Sequence, residues 1–147
     1  MRHYEMYIIK PDIAMQYAGK ELLLYQLFSE RKNALLNEEK GLLDKQISFI
    51  TERIKDEELN RHVVNEIGAF RTYEFKNNGH RLSIKQSKSD ASLFVRQDKA
   101  NLYSVGSQEA ETVFFEVLRK LTPSFFAIDF QSGQYGWLNP IKQRKLV

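Results

Sequence analysis

Apolar and polar positions alternate almost from the start of the chain. In HYEMYII, Tyr4, Met6 and Ile8 interleave with His3, Glu5 and Tyr7, and aromatic and β-branched residues dominate. That pattern predicts a strand. Lys10-Pro11 ends it, because a residue before proline is pushed away from helix. Pro11 then opens a helix, where its missing N–H would lack an intrahelical partner anyway. The helical period predicts one helix over about 11–31, with Ala14, Ala18, Leu22, Tyr25 and Phe28 on one side and Ile13, Tyr17 and Leu24 beside them. Gly19 weakens it locally. Lys20 shares the stripe of Ile13, Tyr17 and Leu24, which argues that this end is not deep core.

After a connection at 33–38, Leu43, Ile47, Ile50 and Ile54 stand at i, i+4, i+7 and i+11. They predict a second helix over about 38–54. Gln46 and Phe49 fall on the neighbouring stripe, Leu42-Gln46-Phe49-Arg53, so Phe49 either laps the core edge or stands out as an anchor. A third helix is expected over 56–68, with acids in its first turn, Leu59, Val63 and Ile67 inward and Gly68 as its stop.

The period then changes to two. TYEFKNNGHRLSIK reads as a hairpin turning on Asn78-Gly79, with Phe75 opposite Leu82 and Tyr73 opposite Ile84. SLFVRQDKANLYSV reads as a second hairpin turning near Asp98-Lys99. Ala110, Val113, Phe114, Val117, Leu118 and Leu121 trace one face of a helix capped by Ser107 and stopped before Pro123. FFAIDFQSGQYGWL closes as a last hairpin around Ser132-Gly133, pairing Phe130 with Tyr135 and Ile128 with Trp137. Asn139-Pro140 stops that strand, leaving IKQRKLV as a short basic tail. The sum is an α+β fold, a mainly antiparallel sheet packed against about four helices, as a single domain over 1–147.

Composition adds little to this picture. With 42% hydrophobic and 28% charged residues among 147, the chain has the make-up of an ordinary globular protein. No apolar run approaches the roughly 20 residues of a membrane span. The start lacks the long apolar core of a signal peptide. The absence of cysteine excludes disulfides and thiolate chemistry and fits the cytoplasm. The net charge of +3 is uneven: residues 11–70 hold 8 basic and 11 acidic residues, and residues 71–103 hold 7 basic and 3 acidic.

Candidate chemistry is mostly excluded. His3, His62 and His80 have no metal-ligand spacing, and His80 beside the turn is expected in solvent. No nucleophile-elbow, dinucleotide or phosphate-loop motif occurs. Glu109 and Glu111 face different ways on a helix, and Asp129 reads as a strand residue on the outer face. An enzyme, a metal site and a cofactor are not expected. Two binding readings remain. One is a nucleic-acid module on the basic hairpins 71–103, using Tyr73, Phe75, Arg81, Lys85 and Arg96, weakened because Tyr73 and Phe75 share a face with Leu82 and Ile84. The other is a protein-binding surface at Ile13 and Tyr17 on the first helix and Gln46 and Phe49 on the second, merging if the helices pack side by side.

RHYEMYIIK, KQISFIT and above all EAETVFFEVLRKLTPSFFAIDFQSGQYGWLNPIKQR resemble the SirA family, the sporulation inhibitors of replication, over essentially the whole length. The resemblance implies a non-enzymatic protein that binds the N-terminal domain of the replication initiator DnaA through its first two helices as sporulation begins. It implies no direct nucleic-acid contact, no membrane and no small-molecule substrate. Ile13, Tyr17, Gln46 and Phe49 match the family's initiator-facing positions; the family has an aromatic at Ile13 and a tyrosine at Phe49. Pro140 matches a family position with an expected supporting role.

Overall fold

In a computed structural model, which describes residues 1–139, the N-terminal strand β1 (Arg2–Ile9) lies near the middle of one sheet. Both of its faces are covered. Met6 and Ile8 enter one core, and Tyr7 and Ile9 pack in a second core on the opposite side. This double coverage explains why the strand carries large apolar residues at odd and even positions alike.

The chain continues through α1 (Pro11–Gln16), α2 (Glu21–Asn33), α3 (Asn37–Ile50), β2 (Thr51–Glu52) and α4 (Asp56–Ile67). A four-strand meander follows: β3 (Tyr73–Lys76), β4 (Gly79–Ile84), β5 (Ser89–Arg96) and β6 (Lys99–Gly106). Last come α5 (Glu109–Leu121), β7 (Phe125–Asp129) and β8 (Gln134–Trp137). The strand order is β3-β4-β5-β6-β1-β7-β8, with β2 pairing the end of β1, and every pairing is antiparallel. On one face, α4 and α5 supply Leu59, Val63, Phe114 and Leu118 to the larger core. On the other, α1–α3 supply Ala14, Leu24, Phe28 and Ile50, which pack with Ile9 of β1, Phe126 and Ile128 of β7 and Trp137 of β8. The α+β architecture expected from the pattern is the one observed.

Three details depart from that pattern. The first helix is broken: α1 stops at Gln16, and Gly19 takes φ +82° before α2 begins. The break rotates the second half, so Leu24 and Phe28 are buried and Leu22 faces solvent. The first hairpin turns on Asn77-Asn78, at φ +53° and +58°, so Tyr73 pairs with Leu82 and Phe75 with His80. Asparagine tolerates this left-handed backbone, and Gly79 is left to start β4. The last hairpin spans four loop residues: Asp129 Oδ1 accepts from the Gln131 and Ser132 amides, and Gly133 takes φ +75°. Trp137 therefore pairs with Phe126 and Tyr135 with Ile128. Both registers slip by two, which keeps each side chain on its expected face. Asp129 is buried as the cap of that turn, not on an outer face. Pro140 and the tail IKQRKLV lie outside the described residues.

Candidate partner-binding surface

Ile13 and Tyr17 belong to the short α1 and its end. Tyr17 is the C-cap, donating its amide to the Ile13 carbonyl at 3.1 Å, and the Lys20 amide bonds the Tyr17 carbonyl at 2.8 Å. The Gly19 turn would leave its own amide unpaired, but Glu21 Oε1 accepts from it at 3.0 Å. That bond, helped by the indole of Trp137 donating to the same oxygen at 3.1 Å, holds the Glu21 carboxyl below its ordinary range. Trp137 packs edge-on against Phe126 at 5.1 Å. The lone tryptophan thus ties the sheet to the turn that presents Tyr17.

Gln46 and Phe49 stand on α3, beside the stripe that buries Leu43 and Ile50. Both are exposed, Phe49 at 69%. Thr51 closes the helix by donating its hydroxyl to the Ile47 carbonyl at 2.8 Å. Lys10 links the two elements. Its amide donates to the Ile50 carbonyl at 2.8 Å, and its ammonium lies 5.2 Å from the Phe49 ring centre. The start of α1 is therefore fastened to the end of α3. Arg31 and Asp44 pair at 2.6 Å between α2 and α3.

The four residues differ in exposure. Gln46 and Phe49 are exposed, whereas Ile13 and Tyr17 are half-buried and pack on the core formed with Ile50 and Phe126. Ile13 and Tyr17 thus stand at the core margin rather than clear of it. Sequence reasoning left out Lys10, whose contact with Phe49 has no local signal, and Met15, which is exposed on α1.

The remaining polar groups are structural. His80 is only 1% exposed, so the expectation of a solvated turn residue fails. It accepts from the Tyr73 hydroxyl at Nδ1 and donates from Nε2 to Asn60 Oδ1, both at 2.7 Å, and burial pushes its imidazole down to about 4. Burial raises the Glu5 carboxyl, but the ammonium groups of Lys99 and Lys32 outweigh it and hold the group below its usual range. Among the described residues, no group of three or more His, Asp or Glu is placed to hold a metal ion. No described helix is long and apolar enough to cross a membrane. Of the basic-hairpin residues, Tyr73 packs toward the larger core, whereas Arg81 pairs with Asp90 in solvent, so the five do not form one patch.

The chain matches the family described as sporulation inhibitor of replication protein SirA over residues 2–142. It is similar to the sporulation inhibitor of replication protein SirA of Bacillus subtilis (strain 168), with 36% identity over 148 residues covering 99% of each chain. A family match across nearly the whole length, joined to a relative of that identity, means that the chain belongs to the SirA family.

Proposed function

We propose that this protein restrains chromosome replication at the onset of sporulation by binding the N-terminal domain of the initiator DnaA on the surface formed by α1 and α3. The observation that carries the reading is Phe49. A large aromatic ring stands 69% exposed on a helix that buries Leu43 and Ile50, and the ammonium of Lys10, just before α1, lies 5.2 Å from its centre. Such a ring loses little rotamer freedom on docking and offers much apolar area, which suits an interface anchor. Gln46, one turn before it, supplies an amide that donates and accepts at the rim. Lys10 adds a cation at the same edge.

No chemistry is required of such a protein. It occupies a surface that the initiator needs for other contacts, and inhibition follows from mass action. Four anchors on two short elements suit a small, reversible interface rather than an obligate one.

Calorimetric titration of the chain with the initiator's N-terminal domain tests this. A saturable one-to-one complex is expected. Absence of any complex with the folded protein overturns the reading.

A further inference from the structure

The core that α1–α3 form with β1, β7 and β8 includes no residue of β3–β6. On that face three rings stack across β1, β6 and β5. His3 and Tyr103 lie 4.1 Å apart and 10° from parallel, and Phe94 continues the ladder at 5.7 Å and 14°. The cross-strand partner of Phe94 on β4 is Gly79. A Cβ there would meet only the carbonyl oxygens of Lys76 at 3.5 Å and Leu93 at 4.0 Å. Gly79 does not have positive φ, so no backbone strain calls for glycine at this position. What its missing side chain leaves is a slot of about 260 Å³, bordered by Phe94, Lys76, Arg81, Glu74 and Ser92. Phe94 thus stacks with Tyr103 and also borders the slot.

We propose that this slot takes a base of a single-stranded nucleic acid as the fourth ring of the ladder. Stacking accepts any base, because every base has a π-face. A duplex is rejected, since its bases are already stacked on both sides. Lys76 has no acidic partner among the described residues and is placed for a backbone phosphate. Arg81 directs Nε and one terminal nitrogen at Asp90, at 3.3 and 3.0 Å, and keeps further donors free. The Glu74 carboxylate and Ser92 hydroxyl serve the polar edge of the base. The meander around the slot carries the chain's excess of positive charge, 7 basic against 3 acidic residues over 71–103, which favours a polyanion.

The test is fluorescence anisotropy of a labelled oligodeoxyadenosine of about twelve nucleotides with the full chain at low salt. Saturable binding is expected, weakening with salt at a log–log slope of about −0.7 to −1.4, as one or two phosphate contacts require. Phe94→Ala should weaken it about tenfold or more. Gly79→Leu, which fills the slot without removing any packing, should weaken it as much while circular dichroism shows an unchanged fold. Lys76→Gln should flatten the salt slope. Three results overturn the proposal: no binding by the folded chain, binding indifferent to Gly79→Leu, or a duplex or free adenosine monophosphate bound as tightly as the strand. Self-association abolished by Gly79→Leu would assign the face to a second copy of this chain and also overturn it.

Discussion

At the scale of single residues, His80 is a buried base held neutral between Tyr73 and Asn60. Its folded value near 4 lies below the ordinary 6.5, so the unfolded chain takes up a proton first as pH falls. Stability from this group is complete above pH 6.5 and is lost as pH drops toward 4, by about 2 kcal/mol between pH 7 and pH 5. Glu5, Glu21 and Asp90, whose carboxyls are held low, lose their contributions only below about pH 4.5. Urea midpoints at pH 7 and pH 5 should therefore fall in the native chain and fall far less in His80→Gln. A native midpoint that stays constant over that range would contradict the neutral buried histidine. The sequence places His80 beside a strong turn signal, and nothing local to it predicts burial. Moving the turn back by one residue made His80 the partner of Phe75, and its contact with Asn60 spans 20 positions of sequence.

At the scale of elements, the break between α1 and α2 decides how the candidate surface is presented. Were 11–31 one helix, Gly19→Ala would stabilise it by about 1 kcal/mol. With Gly19 at φ +82°, alanine is strained instead, and the same change should destabilise by about 1 kcal/mol. Thermal unfolding of the variant distinguishes the two signs. Trp137→Ala removes the packing on Phe126 and the bond to Glu21 and should cost about 2–4 kcal/mol, lowering the melting temperature before any loss of binding. Unaltered melting would mean that β8 is not a structural tie. Strands and helices were legible in the alternation of Tyr4, Met6 and Ile8 and in the stripe from Ala110 to Leu121, since period reports which face is buried. Turn residues were harder to place. Asn77, Asn78 and Gly79 all suit a left-handed turn, and sheet packing chose among them. Ser89, reaching from β5 to the Ala110 amide at 2.8 Å, likewise caps α5 from a distance that no local pattern encodes.

Taken whole, the molecule is one antiparallel sheet with helices on both faces, and its two sides differ in use. The side carrying α4 and α5 is committed to core. The other side bears the α1–α3 surface and the ring ladder of His3, Tyr103 and Phe94. Spacing leaves Phe49 either lapping the core edge or standing out as an anchor, and the ring is exposed. It did not reveal that Lys10 fastens α1 to α3, nor that Phe94 and Tyr103 stack on the face opposite Tyr73, because both depend on tertiary pairing. Phe49 is the anchor we propose for the initiator, and one comparison tests that most directly. Phe49 and Leu35 are both exposed apolar residues, at 69% and 86%, separated by α3, about 18 Å of helix. Titrating the initiator's N-terminal domain into Phe49→Ala and Leu35→Ala should show binding weakened by about 2 kcal/mol or more in the first and unchanged in the second. Equal binding by both folded variants and the native chain would contradict the account.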